Sequence, residues 1–330
     1  APWQDIAVAA LDPIAVPPRS ARGLLRLGAH GAWPATWAMR GAFREDILGH
    51  RLRREIIATK LANRLINRLG LIHPFELAEE EGVTLPQVVA AFVAAERLLG
   101  LDAVWQALED TAMPEAARIQ LFDRAAAATT DHMADLLRVG LGTLEPSRLV
   151  AELGAGVAEL RQSAMGLLSG EALAQSQRMR ADLAALGAPD AEAGMVATLY
   201  DLDGTIGLAR LAQDSGQSPS AITRGFTELG ARLGLDWAQM TAARMSPSDP
   251  WERLLVNGLA RDFQQMRLDF LRRAMGRDGE ALQAVERWAG AQDGAIRQFR
   301  AMVARAQAAV PVAPAMLAQV ASQARNLLGR

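Results

Sequence analysis

The stretch from Asp46 to Gly70 carries the clearest pattern of hydrophobic and polar positions in the chain. No proline interrupts it, Asp46 suits a helix N-cap, and Gly70 stands where a glycine commonly ends a helix. At about 100° per residue, its apolar side chains fill one broad arc. The arc comprises Ile47, Leu52, Ile56, Ala58, Leu61, Ala62, Leu65, Ile66 and Leu69. The pattern therefore predicts one long amphipathic helix.

Three polar residues, Glu55, Thr59 and Asn63, fall inside this arc. A buried polar group without a partner costs about 1–3 kcal/mol. We therefore expect these residues to hydrogen-bond to a neighbouring element or to another chain, unless the arc is less buried at this point. For Asn63 we predict a largely buried amide that bonds to the backbone of a neighbouring helix or loop. Asn67, nearer the polar edge, should matter less.

The opposite side of the predicted helix is basic. Its members are Arg53, Lys60, Arg64 and Arg68. Such a row most often forms a solvated helix face, because charged side chains are rarely buried. The functional alternative is a contact with an acidic patch elsewhere in a larger polypeptide.

Helix signals recur along the rest of the chain. Ala and Leu dominate, aromatic residues make up only 5%, and runs of β-branched residues are short, which favours an all-α protein. Gly and Pro separate the predicted helices. The predicted organisation is a linker with short helices in residues 1–45, a first helical repeat in 46–140, connecting helices in 141–190, a second repeat in 191–276 and C-terminal helices in 277–330.

An internal repeat underlies this division. The segment Leu77–Asp102 aligns without gaps on Leu211–Asp236, and at the same offset Gly70 meets Gly204. The identical residues of the first copy are Leu77, Ala78, Gly82, Phe92, Leu99, Gly100, Leu101 and Asp102. We therefore predict two superposable copies of one helical unit within a multi-helix domain.

Composition narrows the possible functions. The 330 residues are half hydrophobic and carry a net charge of −2, which gives no support for binding to nucleic acid or to an anionic membrane. The absence of cysteine excludes disulfides and thiolate metal sites, and the four scattered histidines lack the spacing of a zinc site. We find no signal peptide and no bilayer-spanning apolar run, and we therefore expect a cytoplasmic protein.

One short motif suggests an independent enzyme. Asp201-Leu202-Asp203-Gly204-Thr205 matches the DxDGT signature of haloacid-dehalogenase-like phosphatases, in which the first Asp is the nucleophile and the second the general acid beside Mg²⁺. Such a motif follows a buried strand, whereas helix-like sequence precedes it here. Those enzymes also need a downstream lysine, and Lys60 is the only lysine of the chain. Catalysis by Asp201 and Asp203 is therefore a remote alternative to a role in capping a helix.

The segment His50–Gly70, HRLRREIIATKLANRLINRLG, resembles the run HPLRREIIAT-x-LAN-x-x-x-N-x-x-G near the C-terminus of the large bacterial NAD-specific glutamate dehydrogenases. The matching residues are Arg53, Arg54, Glu55, Ile56, Ile57, Ala58, Thr59, Leu61, Ala62, Asn63, Asn67 and Gly70. So long a run is specific, although Arg51 stands where the family has proline. Residues 210–222 and 230–240 resemble later segments of the same family, and the likeness covers most of residues 46–330.

The resemblance implies that the chain is the non-catalytic C-terminal helical domain of an enzyme that converts L-glutamate to 2-oxoglutarate and ammonia with NAD. The active site and the NAD site would lie upstream, so we expect no catalytic, cofactor-binding or metal-binding residue in this chain. We expect the fragment alone to be inactive and not to bind NAD. A first residue Ala1, without an initiator Met, fits an excised fragment.

The resemblance also implies two partners, the catalytic core of the same polypeptide and the other subunits of a homo-oligomer. The candidate structural or interface residues are Arg53, Arg54, Glu55, Thr59, Asn63 and Asn67. The alternative from another class is a free-standing helical scaffold or adaptor.

Overall fold

The computed structural model describes residues 53–140, 146–168, 170–201, 204–245 and 248–329. Within these ranges the chain forms fifteen α-helices and no β-strand, so the predicted all-α class is confirmed. The helices are α1 (Arg53–Leu69), α2 (His73–Glu81), α3 (Leu85–Leu99), α4 (Leu101–Asp110), α5 (Glu115–Gly140), α6 (Pro146–Leu167), α7 (Gly170–Ala185), α8 (Asp190–Asp201), α9 (Thr205–Ser215), α10 (Pro219–Leu233), α11 (Leu235–Arg244), α12 (Pro250–Asp278), α13 (Ala281–Ala291), α14 (Asp293–Gln307) and α15 (Pro314–Leu328). The predicted elements of residues 1–45, and residues 46–52 of the predicted first helix, lie outside the described residues.

Helix ends follow the capping chemistry of the sequence. α3 begins after Thr84, whose backbone N–H donates to Gln87 Oε1 at 2.8 Å. It ends at Gly100, whose φ of 60° lies in the left-handed region that glycine adopts without a Cβ penalty. α12 begins after Asp249, whose carboxylate accepts a hydrogen bond from the N–H of Trp251 at 2.8 Å. Local cap residues therefore set these helix boundaries.

The chain divides into two compact units. The first consists of the described residues within Ala1–Thr111 and Phe122–Glu152, and the second of those within Ala112–Leu121 and Leu153–Arg330. The first unit contains α1 to α4 and most of α5. Its most deeply buried large side chains include Leu61, Leu65, Phe92, Leu99, Leu101, Trp105 and Leu136.

The second unit is built around α12. This helix packs against α11, α13 and α15, while α10 packs against α13. α10 and α13 approach closely at Gly225, where an added Cβ would lie 2.8 Å from the Cβ of Ala281. Phe270 of α12 meets the ring of Trp288 edge-on, with 4.8 Å between the ring centroids. Gly225 thus allows α10 to lie close to α13, and the Phe270–Trp288 contact holds α13 against α12.

Helix boundaries recur with the predicted repeat. α3 and α10 each have 15 residues, α4 and α11 each have 10, and both pairs are separated by the offset of the sequence repeat. Gly100 and Gly234 join the helices of each copy with φ of 60° and 73°. These agreements favour a duplication, but the superposition of the two copies and the five-part division of the chain stay predictions.

None of the described helices is by itself long and apolar enough to cross a membrane. α2 and α3 reach the required length and composition only as a pair, and that pair bends by 107°. Ten of the fifteen residues of α3 are buried within the chain.

Candidate functional site

α1 buries most of its predicted apolar arc, but the buried side is shifted around the helix towards Arg64 and Arg68. The buried apolar residues are Ile57, Ala58, Leu61, Ala62, Leu65 and Leu69. Arg64 and Arg68 lie on the same side, with side chains only 10% and 14% exposed. The predicted solvated basic face is therefore wrong for these two arginines. The physical reason is that each pairs with carboxylates of α3 or α4, and a paired guanidinium can be buried.

Arg64 joins α1 to α3 and α4. Its Nε lies 2.7 Å from Glu96 Oε1, and its Nη2 pairs with Asp102 at the start of α4. Burial raises the pKa of Glu96 to about 7, although the positive charges of Arg64 and Arg68 oppose this rise. Burial likewise lowers the pKa of Arg64, against the attraction of Glu96. The contacts of Arg64 therefore hold α1, α3 and α4 together, although they require Arg64 and Glu96 to lose most of their hydration.

Arg68 makes a parallel contact one helical turn further along. It pairs with Glu109 near the end of α4, and its guanidinium carbon lies 4.8 Å from the ring centroid of Trp105. Trp105 is buried and its ring lies 5.5 Å from that of Phe122. A cation over an aromatic ring contributes about 0.5–2 kcal/mol. The two arginines of α1 thus contact both ends of α4.

The opposite side of α1 points away from this core, and we call it the outer face. It comprises Glu55, Ile56, Thr59, Lys60, Asn63, Ile66 and Asn67. Glu55, Asn63 and Asn67 are exposed, and the Thr59 hydroxyl donates to the carbonyl of Glu55 within the same helix at 2.7 Å. The prediction of a buried Asn63 amide is therefore wrong for this chain. Because the two arginines pair with α3 and α4, the helix is rotated so that Asn63 faces outward.

Four of the six candidate residues thus share one face. These are Glu55, Thr59, Asn63 and Asn67. Of the other two, Arg54 is exposed in the first turn of α1, and the side chain of Arg53 lies outside the described part of the chain. Their role at an interface stays a prediction.

The outer face continues into an apolar turn. α1 ends at Gly70, whose φ of 78° turns the chain through the left-handed region. Leu71 and Ile72 follow with 54% and 66% of their surface exposed. Ile66, in the last turn of the helix, is half-buried. Polar amides and aliphatic side chains therefore lie next to one another along α1 and the turn.

Asp201, the first residue of the DxDGT motif, is the last residue of α8 and is buried. Its Oδ2 lies 2.7 Å from Nη2 of Arg180, and its Oδ1 accepts a hydrogen bond from Ser176. Asp203 lies outside the described residues, and α9 starts directly after Gly204. The motif thus joins two helices instead of following a strand, and the Asp201 carboxylate connects α8 to α7. This context disfavours the phosphatase alternative.

The second unit contains a buried arginine of its own. Arg267 of α12 is 2% exposed, and its Nη1 lies 2.7 Å from Oδ1 of Asp236, the residue that aligns with Asp102 in the repeat. Its guanidinium carbon lies 4.0 Å from the ring centroid of Phe226. A Cβ at Gly230, which aligns with Glu96, would lie 2.7 Å from Nη1 of Arg267. A side chain at position 230 would collide with the Arg267 guanidinium, so the second unit has a glycine where the first unit has Glu96.

Sequence reasoning missed the buried arginines. One signal could have found them, because the repeat places an aspartate directly after the Leu101 and Leu235 that start α4 and α11. A carboxylate in a first helical turn is favourable, and it also offers a nearby arginine a partner. Across the ranges that the structure describes, no three His, Asp or Glu side chains come together in a way that could hold a metal ion.

Comparison with known proteins identifies the family. The profile described as "Glutamate dehydrogenase, C-terminal" matches residues 30–326. The chain belongs to this family. The resemblance carried by the α1 segment is thereby confirmed.

Three NAD-specific glutamate dehydrogenases are among the similar proteins. The enzyme of Halomonas elongata is 25% identical over 276 residues, or 78% of this chain. Those of Pseudomonas aeruginosa and Mycobacterium tuberculosis are 26% and 27% identical over 74% and 66% of this chain. The match covers only 16%, 15% and 13% of these three proteins, so the glutamate dehydrogenase C-terminal region is a small part of each.

Proposed function

We propose that this chain is the non-catalytic C-terminal helical region of an NAD-specific glutamate dehydrogenase. The parent enzyme converts L-glutamate to 2-oxoglutarate and ammonia with NAD, and the helical region packs on the catalytic core of the same polypeptide or between subunits of a homo-oligomer in the cytoplasm. NAD is bound by the upstream part of the parent.

The observation that carries this proposal is that three arginine–carboxylate pairs in the described part of the chain join helices to each other. Arg64 binds Glu96, Arg180 binds Asp201 and Arg267 binds Asp236, each at 2.7 Å and each across two helices. A carboxylate that is already held by an arginine of a neighbouring helix is poorly placed to transfer a proton to a substrate. These groups are therefore structural, which supports a chain without a catalytic centre.

The single lysine of the chain gives a sharp test. A pocket that binds L-glutamate as implied by the family relies on several lysines, and here only Lys60 is available, half-buried on the outer face. In the full-length parent, Lys60→Gln and the control Lys60→Arg should both keep kcat and KM for L-glutamate within about twofold of the wild type. A loss of kcat of about 100-fold in both variants, at an unchanged melting temperature, would overturn the proposal.

A second measurement addresses the cofactor. Titration of NAD into the isolated 330-residue chain by calorimetry should give no binding heat, whereas the full-length parent should bind NAD. Circular dichroism of the same sample verifies that the isolated chain is helical. Stoichiometric NAD binding to the folded isolated chain would contradict the proposal.

A further inference from the structure

A groove lies between α14 and α15, which pack against each other in the second unit. Its volume is about 210 Å³, and it is lined by Met302, Arg305 and Ala306 of α14 and by Met316, Gln319 and Val320 of α15. On each helix the lining residues have the spacing i, i+3 and i+4, so they share one face. Sites for drug-sized ligands have about 300–1,000 Å³, so this groove fits a smaller molecule.

Most of the groove is apolar. Ala306 and Val320 are buried at 4% and 1% exposure, and Met302 and Met316 lie half-buried in the same groove. Methionine is unbranched and polarisable, so its side chain adapts to the shape of what it contacts. An aliphatic chain placed between these four residues would leave water for an apolar surrounding, which is favourable. The apolar part therefore fits a short hydrocarbon chain.

The polar part of the groove is cationic. Between Gly294 and Arg330 the sequence contains five arginines and no Asp or Glu. Three of these arginines have partners within the chain: Arg297 pairs with Asp293 at 2.9 Å, Arg325 pairs with Asp262 at 3.0 Å, and Arg300 donates to the carbonyl of Ala231 at 3.2 Å. Arg305 is exposed at the groove and makes no ion pair or hydrogen bond with any described residue. Its guanidinium is therefore available to an anion from outside the chain.

The lining residues together indicate the class of ligand. A guanidinium binds a carboxylate through two parallel N–H···O bonds, and the exposed Gln319 amide can donate a further one. None of the six lining residues is acidic, so an ammonium group would find no partner among them. We propose that the groove binds a small aliphatic monocarboxylate, with its carboxylate at Arg305 and its carbon chain between Met302 and Met316. This proposal concerns the 330-residue chain by itself and does not depend on the proposed function.

Titration of hexanoate into the whole 330-residue chain tests the proposal. NMR of ¹³C-labelled methionine methyl groups follows binding, and Met302→Leu and Met316→Leu assign the two relevant signals among the twelve methionines. Three comparison compounds separate the features of the ligand. Hexylamine has the same chain with the opposite charge, acetate has the carboxylate without the chain, and norleucine adds an ammonium group. Circular dichroism verifies that each variant is folded.

We expect hexanoate to shift the Met302 and Met316 signals saturably, with a Kd at least about tenfold lower than that of each comparison compound. Arg305→Gln should raise this Kd about tenfold or more, because a hydrogen bond to a charged group is worth at least that factor. Arg297→Gln is the matched control, since Arg297 is 76% exposed on the same helix and does not line the groove. It should change the Kd by less than about twofold.

Three results would each overturn the proposal. The first is the absence of a saturable shift of the two methionine signals with hexanoate in the folded chain. The second is equal affinity for hexanoate and any of the comparison compounds. The third is a folded Arg305→Gln variant that binds hexanoate as tightly as the wild type.

Discussion

The Nε of Arg64 lies 2.7 Å from the buried Oε1 of Glu96, and this contact joins α1 to α3. Its strength depends on pH. Burial raises the pKa of Glu96 from 4.5 to about 7, so between these values the folded chain binds a proton that the unfolded chain releases. Since the folded state then holds more protons, stability decreases as pH rises through this window. The folded state is therefore more stable in mildly acidic solution, where Glu96 is protonated, than at pH values above 7.

Glu96→Gln should remove this pH dependence. The wild-type free energy of unfolding should fall by up to about 3 kcal/mol between pH 4.5 and 7, and this part of the slope should be missing in the variant. Urea unfolding of both proteins at pH 5, 6, 7 and 8 measures the difference. Glu109→Gln is the matched control, because Glu109 binds Arg68 but its side chain is 53% exposed, and it leaves Glu96 in place. Parallel slopes for wild type and Glu96→Gln would contradict the prediction.

Arg267→Met should destabilise the chain strongly. It leaves the half-buried Asp236 carboxylate without the guanidinium 2.7 Å away, and a charged group that loses its partner in this way costs about 1–3 kcal/mol. Arg297→Met is the control, because Arg297 and its partner Asp293 are 76% and 62% exposed, and such a pair contributes less than about 1 kcal/mol. Thermal unfolding followed by circular dichroism compares the two. Similar melting temperatures would show that Arg267 is dispensable.

Gly230→Ala and Gly258→Ala should have opposite effects. A Cβ at Gly230 would lie 2.7 Å from Nη1 of Arg267, and such overpacking typically costs about 1–3 kcal/mol. A Cβ at Gly258, within α12, meets nothing within 4 Å, so alanine should stabilise the helix by about 0.5–1 kcal/mol. Chemical denaturation measures the change in the free energy of unfolding for each variant and so gives the sign of both effects. A stabilising Gly230→Ala would show that Arg267 moves aside without cost.

Asn63→Leu should leave the stability of the 330-residue chain within about 0.5 kcal/mol of the wild type, because Asn63 is exposed. Leu61→Ala, two residues earlier, removes a side chain that is 1% exposed and should cost about 2–5 kcal/mol. Thermal melts of both variants compare the two faces of α1. A loss of more than about 1 kcal/mol for Asn63→Leu would restore the buried amide that the sequence pattern predicts.

The helix class and several helix boundaries could be predicted from the sequence because they depend on local chemistry, although α6 runs through Gly154 and Gly156, where the glycines predict a break. Thr84 and Gly100 delimit α3 through cap geometry that involves residues only a few positions away. Gly70 ends α1 in the same way. Such signals need no knowledge of the tertiary fold.

The face that α1 buries could not be predicted in the same way. The periodicity treats arginine as a solvated residue, yet Arg64 and Arg68 reach carboxylates more than thirty positions away in the sequence. These contacts rotate the helix, so Ile56 and Ile66 of the predicted arc are only half-buried and Asn63 is exposed. Long-range pairing thus decided the orientation of the helix, and it is not visible in a pattern of single residues.

The choice of arginine at nearly every basic position has a practical consequence. Lysine-directed acylating reagents modify primary amines and leave guanidinium groups intact. Lys60 is the only lysine side chain of this region, and it lies half-buried on the outer face of α1. The acylation rate of this single lysine side chain therefore measures how accessible the outer face is to solvent.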